Sequence, residues 1–264
     1  MIKLENVSFH YKRKKEILKN INLEFFPGEI TVIIGKNGSG KTTLCNLLTK
    51  FLVGKGKIFI DSENIKKMKN ATLRKKVGIV FQNPNHQVIF NKVYDDIKFA
   101  LDNLNLDNKE KRIEKALQEM EMQDFQEKNP FELSLGEKQR IAICSQLAID
   151  PTYFILDEIT SMIDYKGKQD IYKILKNLKE KGKCIIMTTN IMEEILIADK
   201  IIVLEKGVVQ NIIKKEELLE NINNLKDIFT DIPFIIKVLL FLKEKNIPIT
   251  SFNEDSILES LNEV

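Results

Sequence analysis

Residues 35–42 read Gly-Lys-Asn-Gly-Ser-Gly-Lys-Thr and fit the pattern G-x-x-x-x-G-K-[ST]. Glycines at 35, 38 and 40 let backbone N–H groups wrap an anion, and a helix starting here aims its positive end at the same place. Lys41 has the reach and charge for the β- and γ-phosphates of a nucleotide, and the Thr42 hydroxyl is suited to ligate Mg²⁺. A second group, Phe154–Glu158, reads Phe-Ile-Leu-Asp-Glu about 115 residues downstream. Asp157, at the end of an apolar run, can hold a Mg²⁺ shell, and Glu158 can polarise an attacking water. Phosphoryl transfer needs positioning and charge neutralisation more than covalent chemistry, so a carboxylate pair at a strand end suits it. Alone, an Asp-Glu strand end serves equally well as a solvated turn; the glycine-rich loop upstream favours the chemical reading.

Such a loop works only between a buried strand and a helix, and the flanking residues provide both. Ile30–Ile34 is short, β-branched and continuous, as a strand buried on both faces should be. Leu44–Leu52 follows with helical character. Strand-like stretches also cover Ile2–Phe9 and Ile21–Phe26, with a Pro27-Gly28 turn before the loop strand. Val77–Phe81, Tyr153–Leu156, Cys184–Met187 and Lys200–Leu204 are further candidates for buried strands, with helical patterns between them. Alternation of this kind predicts a mainly parallel sheet in an α/β architecture. From about residue 83 to 149 the pattern is helical (Asp95–Leu104, Lys109–Glu121, Leu135–Ile149), which predicts a helical subdomain inserted in the α/β core. The expected organisation is a catalytic unit over 1–214 and a small helical extension over 215–264, broken at Pro233 and Pro248.

Composition narrows the chemistry. The 264 residues include 41 basic and 38 acidic side chains, and no apolar run is long enough to span a membrane. The net charge of +3 divides into +8 for residues 1–214 and −5 for the rest. Such an excess suits phosphate ligands, nucleic acid or an anionic membrane face, and equally a solvated lysine-rich surface. Cys45, Cys144 and Cys184 are too few and too scattered for a disulfide framework and are expected to be buried small hydrophobes. With His10 and His86 the only histidines, a His/Cys metal site or a His-based triad is nearly excluded. The opening residues show no secretory signal, so a cytosolic, reduced, soluble protein is expected. His86 and the Lys12–Lys15 run are expected on the surface.

Further motifs follow in order. Phe81-Gln82-Asn83-Pro84, Leu133-Ser134-Leu135-Gly136-Glu137 and Ser161-Met162-Ile163-Asp164, with the two groups above, resemble the nucleotide-binding core, Q-loop, signature and D-loop of the ATP-binding cassette (ABC) family over about residues 1–210. The resemblance implies a P-loop ABC ATPase core with N-terminal antiparallel strands beside the parallel sheet. It implies ATP held by Tyr11 under the adenine and by Gly35, Lys36, Asn37, Gly38, Ser39, Gly40, Lys41, Thr42 and Thr43. It implies Mg²⁺ held by Thr42, Gln82 and Asp157, with Glu158 as the water-activating carboxylate. Ser134, Gly136 and Glu137 would face the nucleotide of a second cassette, beside Asp164. Residues 81–87, Val93–Ile97, Phe99–Leu101 and the tail around Asp231–Phe234 are similar to the first ATPase of energy-coupling factor (ECF) vitamin transporters. That likeness implies a second ABC ATPase as partner, usually a different chain though a second copy remains open. It also implies a membrane-embedded coupling subunit, substrate-binding membrane subunits and a peripheral place on the cytoplasmic face of the cell membrane. No nucleic acid partner is expected.

Two departures from the family pattern bear on activity. Where the family has Thr-His after a strand, this chain has Thr188-Thr189-Asn190; Asn190 donates and accepts hydrogen bonds but carries no proton at neutral pH. The site built on this loop is therefore expected to hydrolyse slowly. The signature reads Leu-Ser-Leu-Gly-Glu in place of the usual Leu-Ser-Gly-Gly-Gln; Leu135 adds bulk and Glu137 adds negative charge near a phosphate. Ser134 with Glu137 is also a capping box at a helix start, a structural role compatible with the other. Two other functions remain open: a soluble ABC ATPase, disfavoured by the single cassette, and a cassette that binds ATP chiefly to dimerise or regulate.

Overall fold

The computed structural model describes residues 1–11, 16–229 and 232–245. The Lys12–Lys15 run, Asp231 and Pro248 lie outside these residues. The chain opens with β1 (Ile2–Phe9), β2 (Leu18–Phe25) and β3 (Ile30–Ile34), and α1 (Lys41–Leu48) follows the glycine-rich loop. Next come β4 (Lys55–Ile60), β5 (Glu63–Asn64), α2 (Asn70–Lys76) and β6 (Val77–Val80). The helices α3 (Val93–Asn103), α4 (Lys109–Glu119) and α5 (Leu135–Ile149) then precede β7 (Tyr153–Asp157). The chain continues through α6 (Tyr165–Glu180), β8 (Cys184–Thr189), β9 (Lys200–Glu205) and β10 (Val208–Lys214) to α7 (Leu218–Leu225) and α8 (Phe234–Glu244).

Two sheets result. The larger has the order β10-β9-β3-β8-β7-β6 and is parallel except for β10; the smaller, β2-β1-β4-β5, is antiparallel. Side chains alternate across each central strand, and both faces of the larger sheet are apolar. Ile30, Val32, Phe154, Leu156, Ile185 and Met187 pack on one side, against residues of α3 to α8. Ile33, Tyr153, Ile155, Cys184 and Ile186 pack on the other, against α1 and the antiparallel sheet. This two-sided burial is why the central strands read as continuous apolar runs.

The tail joins the first of these layers: Leu218, Ile222, Ile236, Leu239 and Leu242 are buried in it, and α8 begins directly after Pro233. The helix after the loop is shorter than its apolar pattern predicts. It ends at Leu48, the Thr49 hydroxyl bonds back to the Cys45 carbonyl, and Lys50 turns into the left-handed region at φ 60°. No helix of the described residues is long and apolar enough to cross a membrane.

Candidate nucleotide site

Strand register assembles the site. Ile34 of β3 lies opposite Thr189 of β8, Asp157 of β7 opposite Thr188, and Val80 of β6 opposite Leu156. The residues that follow each strand therefore meet at one end of the sheet, where open α/β folds hold their ligands. Gly35, Asn190, Glu158 and Gln82 all arrive there, although up to 155 positions separate them in the sequence.

The loop is shaped for an anion. Gly38 and Gly40 adopt φ of 77° and 112°, which L side chains resist. A Cβ at Gly35 would stand 2.1 Å from the Leu204 carbonyl oxygen. Gly40 caps α1 without a side-chain bond, so the first N–H groups of the helix stay free for a ligand. The buried Ser39 hydroxyl likewise has no partner among the described residues.

Lys41 extends from the first turn of α1 into the cluster and is only 5% exposed. Its Nζ donates to the Gly35 carbonyl (2.7 Å) and to Asn190 Oδ1 (2.8 Å), and pairs with Glu158 Oε1 at 3.3 Å. Glu158 is also the acceptor for Gln82 Nε2 and Asn190 Nδ2, each at 2.9 Å. Asn190 Nδ2 further donates to Asn37 Oδ1 at 3.2 Å. Glu158 is thus held by three side chains, one of them cationic. Its own backbone sits at φ 51°, an uncommon conformation for a non-glycine residue, secured by its N–H to the Thr188 carbonyl (3.2 Å) and its carbonyl to Ser161 Oγ (3.0 Å). Asp157 is buried beside it and accepts from Thr188 Oγ1 at 2.6 Å. Cys45 lies behind the loop with its thiol pKa pushed well up, first by burial and then by the Asp157 charge, which suits a packing role.

The other motif residues stand apart from this cluster. Ser134 starts α5 in a reciprocal capping box: its N–H donates to Glu137 Oε2 (2.8 Å) and its Oγ accepts the Glu137 N–H (3.3 Å). The Ser134 hydroxyl also donates to that carboxylate, and these bonds hold the Glu137 pKa below its ordinary value. Gly136 faces the Met162 carbonyl, where an added Cβ would stand at 3.3 Å. Asp164 caps α6 through the Gly167 N–H at 3.1 Å. Among the described residues none of Ser134, Glu137 and Asp164 hydrogen-bonds to the Lys41–Glu158 cluster. Tyr11 is exposed, its ring edge-on to Phe9 at 4.8 Å. Thr42 and His86 are exposed, and all three cysteines are buried.

The structure adds residues that the motifs did not single out for a role. Thr188 orients Asp157. Gln139 of α5 is buried and donates to the Phe81 carbonyl at 3.0 Å, which ties the signature helix to the Gln82 segment. Glu194 is fully buried and accepts from the hydroxyls of Thr160 and Tyr172, joining the segment after Asn190 to the segment after Glu158. A polar residue within an apolar helical pattern marks Gln139 in the sequence; nothing marks Glu194, which has another glutamate beside it.

The family model for ABC transporters matches residues 18–161, more than half of the chain. This chain belongs to the ABC transporter family. It is 40% identical to the energy-coupling factor transporter ATP-binding protein EcfA1 of Mycoplasmoides gallisepticum, over 95% of this chain and 91% of that protein. It is 39% identical to the EcfA1 protein of Mesomycoplasma hyopneumoniae, over 99% of this chain and 97% of that one. Among solved structures it is similar to cbiO1 from Clostridium perfringens, described as part of the ABC transporter complex cbiONQ. The TM-score there is 0.75 at 31% identity, covering 92% of this chain and 96% of that one. A dimeric ATP-binding cassette in a post-hydrolysis state with ADP and Pi matches with a TM-score of 0.75 at 30% identity, over 81% of this chain and 99% of that one. The α/β core, the ATP-binding role and the ATPase class expected from the motifs are those of this family.

Proposed function

We propose that this ABC ATPase energises an ECF-type importer of vitamins or other micronutrients at the cytoplasmic face of the cell membrane. It would act with a second ABC ATPase, a membrane-embedded coupling subunit and substrate-binding membrane subunits. The observation that carries the reading is the convergence of Lys41, Gln82, Glu158 and Asn190 at one end of the parallel sheet. It occurs in a chain that matches ECF transporter ATP-binding proteins over nearly its whole length. In this reading residues 1–214 form the cassette, with the helical subdomain at about 83–149, and 215–264 form a C-terminal extension, of which α7 and α8 pack on the cassette.

ATP would lie with its adenine on Tyr11 and its phosphates in the 35–43 loop, whose free N–H groups and open glycines fit an anion. Thr42, Gln82 and Asp157 form an all-oxygen donor set suited to Mg²⁺, which when bound neutralises charge on the phosphates. Lys41 leaves Glu158 for the phosphates as the nucleotide enters, because a multiply charged anion outcompetes one carboxylate. Glu158, still positioned by Gln82 and Asn190, then takes the proton of the attacking water. Gln82 therefore connects the water-activating carboxylate to the Phe81–Pro84 segment, where a membrane subunit would be sensed. Ser134 and Gly136 would complete the site of the partner cassette beside Asp164.

Purification of the tagged chain from membranes tests this reading. Co-purification of a second cassette and a multi-span protein is expected, with ATP turnover lost in Glu158→Gln. Turnover unchanged by that substitution, or the chain recovered without any membrane protein, would overturn it. Asn190 favours a second reading, a cassette that binds ATP to dimerise and hydrolyses it poorly; wild-type turnover in the assembled complex decides between them.

A further inference from the structure

A carboxylate shut away from water is costly unless its oxygens find donors. Glu194 is fully buried and stands four residues after Asn190, in the short helical turn Met192–Ile197. Met192 and Ile195 of that turn are packed in the core and fix its backbone. The partners of Glu194 are hydroxyls. Tyr172 Oη donates to Glu194 Oε1 at 2.9 Å, and Thr160 Oγ1 donates to the same oxygen. Burial pushes the Glu194 pKa up, while hydrogen bonding from Thr160, Thr189 and Tyr172 draws it back. Thr160 and Tyr172 are themselves buried, so the contact lies inside the protein.

The two ends of this contact flank the catalytic cluster. Thr160 is two residues past Glu158, in the turn where Glu158 holds φ 51° and where the Glu158 carbonyl accepts from Ser161 Oγ at 3.0 Å. On the other side, Thr189 precedes Asn190 and its Oγ1 accepts the Ile191 N–H at 2.8 Å, so the backbone on both sides of Asn190 is tied. Glu194 thus bridges the two turns whose side chains meet where Asn190 Nδ2 donates to Glu158 Oε1 at 2.9 Å. Glu194 itself hydrogen-bonds to neither of them. We propose that Glu194 is a positioning residue for ATP hydrolysis: through Thr160 it holds the Glu158 turn against the Asn190 turn and so sets where the Glu158 carboxylate stands. The water-activating role of Glu158 rests on the function proposed above; the bridge between the two turns does not.

Steady-state phosphate release by the assembled complex tests the inference, with kcat and KM for ATP separated. Displacing a catalytic group by about 1 Å can cost about 10²-fold, so Glu194→Leu, which removes the acceptor at similar volume, should lower kcat by about ten- to hundred-fold with KM unchanged. Thr160→Val removes only the donor and should lower kcat in the same way, which covers a Glu194→Leu chain that does not fold. Both hydroxyls end on one oxygen, so Glu194→Gln keeps the acceptor and should retain the wild-type kcat. Residues that act through one another are not additive, so Glu194→Leu should cost far less kcat in an Asn190→Ala background than in the wild type. A lower Tm with kcat unchanged in both Glu194→Leu and Thr160→Val would make the contact merely structural and overturn the proposal. So would full additivity with Asn190→Ala, or the same loss of kcat in Glu194→Gln as in Glu194→Leu. Glu158→Gln is measured alongside: turnover that survives it would sink the proposed function and this inference together. Turnover lost there but kept in Glu194→Leu would sink this inference alone.

Discussion

Asn190→His perturbs the one position at which the catalytic cluster departs from the family pattern. In the structure Asn190 already supplies two positioning contacts, accepting from Lys41 Nζ at 2.8 Å and donating to Glu158 Oε1 at 2.9 Å. A neutral imidazole carries one acceptor and one donor and can replace both contacts in one tautomer. Residue 190 is exposed, so the larger ring has room. What histidine adds is a proton that is gained and lost near neutral pH. Positioned acid–base groups contribute about 10² to 10⁴-fold. Since geometry is already provided, the gain in kcat should lie at or below the lower end, about ten- to hundred-fold, or about 1.4–2.7 kcal/mol of barrier. The assay is steady-state phosphate release by the assembled complex at saturating ATP. The variant should also acquire an inflection near the imidazole value of about 6.5, which the asparagine enzyme lacks at this position. A variant with no gain, or a gain without the inflection, would refute the claim that the missing titratable group limits turnover.

Leu135→Gly with Glu137→Gln should raise turnover of the complex by freeing backbone approach and removing a charge near the partner's phosphate; unchanged turnover would refute this. Glu137→Gln alone should leave stability nearly unchanged, because its amide oxygen still accepts the Ser134 N–H, whereas Ser134→Ala should cost about 1 kcal/mol on thermal unfolding. Burial raises the pKa of Glu194 above its unfolded value of about 4.3, so its contribution is fully present below that value and is lost as pH rises through the folded one. Glu194→Gln should therefore gain stability relative to wild type as pH is raised, read as a growing difference in Tm. Burial pushes the Cys144 and Cys184 thiols up to about 12, so a thiol reagent should modify the folded chain only as fast as it opens.

Much of this molecule is written locally. The strands that position the site are apolar on both faces, because β3, β7 and β8 lie in the middle of the sheet, and they stand out as unbroken runs. The loop announces itself because its glycines answer a backbone demand that no other residue meets at φ 112°. β4, β5, α2 and β10 were not legible in the same way. β4 sets Lys55 and Lys57 against a single inward face, α2 buries only Leu73, and β10 buries only Ile213. For these elements tertiary contact, not pattern, sets the conformation: β4 pairs with β1, α2 leads into β6, and β10 closes the sheet edge as an antiparallel hairpin with β9.

The site shows the same division more sharply. Motifs identify Lys41, Gln82 and Glu158 separately, yet the chemistry lies in their mutual contacts, which depend on which strands are neighbours. Strand order places β8 between β3 and β7, so the residue after β8 falls between the nucleotide lysine and the water-activating glutamate. The Asn190 side chain touches both. A departure from pattern that looks like a single lost histidine is therefore a substitution at the junction of two charges, one whose amide oxygen answers the cation while its N–H answers the carboxylate. Asn190 is one of the few neutral side chains able to do both at once. The position has kept its geometry and given up its proton, which is why slowed turnover with intact nucleotide binding is the outcome that this arrangement predicts.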